Sequence, residues 1–300
     1  MRKTALICGV AGALAGALLF APATAQEPAL PAVKSPLPGY ADGRGPAGPV
    51  EISIASPKPG EVIPIPAEPA AGPGPGGAAA KGAEVSIRVE LKGFELFRDE
   101  ATRSGQHVHI VFDATRHFEL FDVTKAFVLK NVAKGTHTVR VFPARPWHES
   151  LKGPGAFAMV TFHVGEKDGK NTPDPKAPLL TGNRPKGKYP KGEAHKVMLD
   201  FLVRGCVVGD KDVPDSCRVR YRIGELPEVT LTKEGPVWLT DLAPGKHPYV
   251  IALTKDGKII EGPFNLYRGS FEIVDEAGSA PPAAPPAVSA SPPKAGAPAP

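Results

Sequence analysis

One stretch of this chain is written twice. Ala126 to His137 lies over Pro236 to His247 at a constant offset of 110 without a gap, and Leu129, Ala133, Gly135 and His137 recur as Leu239, Ala243, Gly245 and His247. A repeat at that spacing makes two copies of one folding unit, each of ordinary domain size. The residues around it alternate with period two. Val85, Ile87, Val89 and Leu91 alternate with Glu84, Ser86, Arg88 and Glu90, and Val197, Leu199, Phe201 and Val203 are set against Lys196, Met198, Asp200 and Arg204. Val219, Tyr221 and Ile223 alternate with Arg218, Arg220 and Arg222 in the same way. Such alternation marks strands with one face toward a core. Further strands are expected at 50–55, 107–113, 127–132, 136–142, 158–164, 237–242, 249–254 and 270–274. No stretch sustains a helical period, so the fold class is all-β.

The ends differ in kind from the middle. Met1-Arg2-Lys3, an uncharged apolar stretch to Phe20 and the small residues Ala23-Thr24-Ala25 read as a signal peptide over 1–25, cut before Gln26. The alternative is retention of Ala5 to Ala25 as an anchor, since it is long enough to span a bilayer. No later segment is apolar enough to cross one. Residues 26–47, an insert near 66–80 and the tail 276–300 are dominated by Pro, Ala and Gly; they lack the apolar content to fold alone and read as disordered. Between them lie domain 1 (48–166), a linker (167–177) and domain 2 (178–275).

Export to the periplasm or the extracellular space is an oxidising fate. With Cys8 inside the signal, Cys206 and Cys217 are an even pair and are expected to form a disulfide. Of the formal charge of +5, Arg2 and Lys3 supply two, leaving +3 after cleavage. That excess does not argue for nucleic acid, which calls for basic residues gathered on one face. Lys186, Lys188 and Lys191 cluster, and read first as a solvated loop and second as a contact for an anionic cell-surface polymer.

Ser56-Pro57-Lys58-Pro59-Gly60 after a first strand, His107-Val108-His109 on a middle strand, and a strand running through Gly135-Thr136-His137 into the next resemble bacterial secreted tandem immunoglobulin-like or fibronectin type III-like β-sandwich domains. The resemblance covers most of 48–275. It implies two tandem immunoglobulin-like sandwiches serving as a surface or periplasmic binding or spacer module, and carries over no activity.

Chemistry-bearing residues are few. No Gly-x-Ser-x-Gly elbow, phosphate-cradling loop or dinucleotide fingerprint is present, so the chain reads as no enzyme. His107 and His109, two apart on a strand, share a face, and the immunoglobulin-like order places their strand beside the one that begins at His137. Three imidazoles there suit Zn²⁺ or Cu²⁺, with Asp113, His148 or Glu149 as completing ligands. Which face the pair occupies depends on register: ungapped alignment with the second copy puts it inward, and a slip of one residue puts Val108, Ile110 and Phe112 inward instead. His247 repeats His137 where the other histidines are missing, which favours a turn-to-strand role for both. His163, His117 and His195 are expected at the surface. The loop Pro143 to Gly155 carries Arg145, Trp147, His148 and Glu149, residue types that anchor interfaces, and is expected either to bind an unidentified surface protein or glycan or to fold back as a lid on the sandwich edge. The function expected first is thus a non-enzymatic exported binding or spacer module, and second a metal-binding module.

Overall fold

In a computed structural model of the chain, the described residues are 32–37, 40–66, 82–114, 116–209, 212–213 and 215–275. The segment read as a signal peptide, most of the insert near 66–80 and the Pro/Ala-rich tail lie outside them. Two short strands, β1 (Ala32–Val33) and β2 (Gly43–Arg44), pair antiparallel. Residues 44–47, assigned from sequence to a tether, hydrogen-bond to the first domain through Arg44 to Gln106 and Glu95 and through Ala47 to Gly93.

The first domain comprises β3 (Glu51–Ser56), β4 (Val62–Ile63), β5 (Ala83–Lys92), β6 (His107–Phe112), β7 (Arg116–Leu120), β8 (Phe127–Val132), β9 (Gly135–Ala144) and β10 (Ala158–Val164). A sheet β3-β5-β8 faces a sheet β4-β10-β9-β6-β7. The second comprises β11 (Leu179–Arg184), β12 (Gly187–Pro190), β13 (Met198–Arg204), β14 (Val207–Val208), β15 (Ser216–Ile223), β16 (Val229–Leu231), β17 (Val237–Trp238), β18 (Gly245–Lys255), β19 (Lys258–Ile259) and β20 (Leu266–Val274), with one 3₁₀ helix at Lys191–Lys196. Here β11-β13-β17 faces β12-β20-β18-β15; β14 and β16 pair with the edge strand β15, and β19 with the end of β18. In both units the chain's first strand is divided between the two sheets, and the remaining strands follow the Greek-key order of the immunoglobulin-like sandwich. The fold is two such sandwiches in tandem.

The alternation read from sequence is the pattern of burial. Val85, Ile87 and Val89 of β5 point into the first core, which also holds Val108, Ile110, Phe112, Leu129, Val139, Val141 and Phe162. Leu199, Phe201, Val203, Cys217, Val219, Ile251 and Phe271 do the same in the second. Gly135 and Gly245 both adopt positive φ, 130° and 123°, a backbone region closed to most side chains, which accounts for the glycine at this point of the repeat. Cys206 and Cys217 are bonded.

Four strands break the alternation: every residue of β6 and of β9 is buried, and every residue but the last of β11 and β13. The inner face of β6 and β9 lines the core of the first sandwich. Their outer face is covered by the three-stranded sheet of the second sandwich, where Leu202 packs on Val111 and Phe142. The Arg140 guanidinium crosses this seam, donating to the Leu180 carbonyl and to Thr181 Oγ1 and lying over the Phe264 ring at 4.0 Å. Asp200, fully buried, accepts from Ser150 Oγ, Asn183 Nδ2 and Lys152 Nζ, each at 2.7 Å.

Candidate metal centre

The register question is settled by β6. Val108, Ile110 and Phe112 enter the core, so His107, His109 and Val111 face outward, toward the seam. The ungapped alignment with the second copy is off by one residue at this strand. Across the sheet, His107 lies opposite Ala144, and His109 lies between Phe142 on β9 and Glu119 on β7. The loop after β9 then brings His148 over the pair.

Four ligand atoms, one each from His107, His109, Glu119 and His148, lie within 4.8 Å of one another. His107 Nε2 is 3.0 Å from His109 Nε2 and 3.1 Å from His148 Nδ1, and the latter is 3.5 Å from Glu119 Oε1. Ligands at the Zn–N distance of about 2.0 Å stand roughly 3.3 Å apart on the edges of a tetrahedron. These three separations bracket that value, and every pair in the set lies within 4.8 Å.

The orientation of each ring has a local cause. His107 Nδ1–H donates to the Gly105 carbonyl at 2.7 Å, which assigns the ring's proton to Nδ1 and turns the Nε2 lone pair toward the cluster. That single lone pair faces two imidazole nitrogens at once, more than one neutral acceptor can satisfy in its ring plane. His109 is stacked on Phe142 with ring centres 5.2 Å apart, and its Nδ1 is buried without a partner. His148 has φ +66°, in the left-handed region, where a non-glycine residue costs on the order of 1 kcal/mol. A turn holds it there: its N–H donates to the Arg145 carbonyl, and its carbonyl accepts from Asn183 Nδ2 of the second domain at 2.7 Å.

Burial governs the electrostatics. It pulls the His107 pKa down to about 4, against a partial upward pull from Glu119. His109 and His148 are held well below the ordinary imidazole range, first by burial and then by positive neighbours including Arg184 and Lys186. All three rings are neutral at pH 7, the state in which imidazole is a ligand. For Glu119, burial raises the pKa, but Arg184, His107 and Lys186 outweigh it and keep the carboxylate ionised; Arg184 donates to its Oε1 at 2.9 Å. His107 and His109 have no solvent exposure, whereas the His148 and Glu119 side chains keep 24% and 33%, so the cluster opens to water on one side.

His137 is not part of this cluster. It sits seven residues along β9 from the partner of His107, about 23 Å at the usual strand rise. Both its ring nitrogens are engaged, Nδ1 with Asp113 at 2.8 Å and Nε2 with the Ala133 carbonyl at 2.8 Å. His247 makes the same bond to the Ala243 carbonyl at 2.7 Å, so the repeated histidine closes the turn before its strand.

The loop expected to recognise a partner is closed. Trp147 is only 4% exposed, its Nε1–H donates to Glu149 Oε2 at 2.7 Å, and Arg145 lies over its ring. The same loop is tied to the second domain through Ser150. Arg145, Trp147 and Glu149 therefore shape the turn that presents His148. Two histidines also differ from expectation: both ring nitrogens of His117 are buried without partners, and His163 is half-buried beside Thr136 Oγ1. His195 is exposed, as expected.

Glu119 was missed from sequence because its strand was. The signal was present: the turn after Asp113 is followed by alternating His117-Phe118-Glu119-Leu120, a hairpin return that places Glu119 opposite His109.

No protein-family model and no curated protein sequence matches the chain. Among solved structures, the fibronectin(III)-like modules of Clostridium thermocellum CbhA align with 76% of this chain and 97% of theirs, at 10% identity and a TM-score of 0.25. A biofilm-associated protein BSP domain aligns with 75% of this chain at 13% identity and TM-score 0.24, and red sea bream transglutaminase with 75% at 11% and 0.19. The chain spans about a third of the length of the latter two, 30% and 31%. At these scores the likenesses carry no functional argument, and the immunoglobulin-like assignment rests on strand order. Among the described residues no helix is long and apolar enough to cross a membrane.

Proposed function

We propose that this chain is an exported, non-catalytic two-domain module whose first sandwich binds one divalent transition-metal ion, Zn²⁺ or Cu²⁺, through His107, His109 and His148, with Glu119 as the fourth ligand. The convergence of those four ligand atoms within 4.8 Å carries the reading. Three imidazoles and a carboxylate are donors that suit either ion, and Cu²⁺ is the tighter binder of the two for most nitrogen sites. With Zn²⁺, four protein ligands would complete the tetrahedron of a structural site and leave no position for a substrate. All four ligands belong to the first sandwich, and two of them are bonded to the second, His148 through its carbonyl to Asn183 and Glu119 through its carboxylate to Arg184, so an ion would brace the docking side of the first domain. Export is supported by the Met1 to Ala25 segment and by the Cys206–Cys217 bond.

The test is isothermal titration of residues 26–300 with Zn²⁺ and, separately, Cu²⁺ at neutral pH, with Cu²⁺ spectra reporting nitrogen ligation. One ion per chain is expected. Binding should weaken at least 100-fold in His107→Ala/His109→Ala and in His148→Ala, and about tenfold in Glu119→Gln, while His137→Ala keeps wild-type affinity. Absence of stoichiometric binding, or binding indifferent to His148, overturns the proposal.

A further inference from the structure

The outer face of the large sheet is covered in the first domain and open in the second. Its rows follow from register. Arg222 on β15 lies opposite Val250 on β18, which lies opposite Arg268 on β20. One row along, Arg220, Ala252 and Leu266 are in line. Toward the other end, Lys246 on β18 lies opposite Glu272 on β20, which lies opposite Lys188 on β12. Arg220 is paired with Glu228 and Lys188 with Glu272. Arg222, Arg268 and Lys246 have no carboxylate partner among the described residues, and Arg222 and Arg268 flank a groove of about 290 Å³ floored by Val250 and Ala252 and lined also by Tyr221 and by Glu228, whose charge Arg220 offsets.

From this geometry we infer that the open sheet of the second domain binds an acidic polysaccharide, its carboxylates held by Arg222 and Arg268 and its chain running along β18 toward Lys246. The inference is independent of the metal centre. Charge sign selects an anion, and guanidinium forks match carboxylates in bidentate geometry. The three unpaired cations lie on β15, β18 and β20, about 10 Å across at the usual strand spacing, with Lys246 about 13 Å along β18 from the arginine row, a spread that fits an extended polymer better than a small ion. The aromatic residues of this sheet, Tyr189, Tyr221, Tyr249, Tyr267 and Phe271, pack against the core, and Tyr221 alone also lines the groove, too few rings for successive nucleic-acid bases to stack on.

The experiment is binding of residues 26–300 to polygalacturonate, with neutral dextran, poly-glutamate and single-stranded DNA of matched charge as comparisons. Polygalacturonate is expected to bind and to weaken steeply as salt rises from 50 to 200 mM; those concentrations, about 50 and 200 mM, span the range over which surface charges become screened. Arg222→Ala/Arg268→Ala should weaken it at least tenfold, Arg222→Lys/Arg268→Lys less, and His107→Ala/His109→Ala not at all. Both arginines are exposed, so unchanged thermal unfolding will show that the variants fold. No binding, binding unaffected by the arginine variants, or equal or tighter binding of poly-glutamate or DNA overturns the inference.

Discussion

The two sandwiches share strand order, repeat motif and turn histidine, and differ in what covers one sheet. In the first domain the outer face of β6 and β9 lies under the second domain, and there the chain places histidines, an arginine that donates to backbone across the seam, and apolar residues. In the second, the corresponding face meets water and carries paired and unpaired arginines. Where the first domain has its histidine pair on the third long strand, the second has Cys217 bonded to Cys206. The same backbone thus supports a buried histidine cluster in one copy and a solvated cationic face in the other. The difference shows that a sheet face takes its chemistry from its neighbour in space.

The comparison breaks most sharply at Asp200. Removing this carboxylate in Asp200→Ala leaves Ser150, Asn183 and Lys152 without their common acceptor in a buried seam, and is expected to cost about 3–5 kcal/mol, the usual range for breaking a buried charged network. Urea unfolding will read it. Separate transitions for the two domains, in place of one, would show that the seam is what couples them.

Acid comes next and acts on the first domain. In the metal-free protein His107 binds a proton only near pH 4, whereas the unfolded chain binds it near 6.5. The folded state's preference for the neutral ring is fully expressed above the unfolded value and is lost as pH falls through the folded one. That shift corresponds to on the order of 3 kcal/mol of stability lost between pH 6.5 and 4, and His109 and His148 add to it in the same direction. Unfolding followed against pH should show this acid limb in the wild type and a shallower one in His107→Ala/His109→Ala.

Replacing both cysteines by serine frees a loop with a sequence separation of 11 and should cost about 3 kcal/mol, confined to the second domain. Hydrogen exchange resolves where: protection should fall around β14 and β15 and hold in β6 and β9.

The smallest effect separates the twin histidines. His247→Ala removes one bond to a turn carbonyl, expected to cost about 1 kcal/mol. His137→Ala removes that bond and the one to Asp113, and should cost about twice as much. Burial lowers the His137 pKa, but those two bonds outweigh it and raise the value above the ordinary one. Its contribution is therefore complete below pH 6.5 and declines as pH rises through the raised value, opposite in sign to His107. Thermal unfolding of His137→Ala at pH 6 and pH 8 checks this: the gap to wild type should be larger at pH 6.

How much of this was legible in the chain can be read off particular residues. Val85, Ile87 and Val89 announced a strand and its inward face because one side of β5 meets water. The strand β7 went unread, although its alternation is clear, and Glu119 went with it. His137 was grouped with His107 and His109 because adjacent strands look like adjacent residues; the seven-residue displacement along β9 appears only once register is known. Trp147 and Arg145 had the composition of a recognition loop, and the burial that makes them a support for His148 comes from contacts within the loop and across the seam.

The sequence by itself determined the all-β class, the two tandem copies, the disulfide pair and the turn histidine of each repeat, because period-two alternation and a gap-free repeat are local properties of the chain. Only the tertiary structure decided which face His107 and His109 occupy, that His148 and Glu119 join them, and which large sheet is left open to solvent. Those facts depend on a one-residue choice of register and on the docking of one domain on the other, and both are set by which surfaces exclude water together, a condition that no single segment contains.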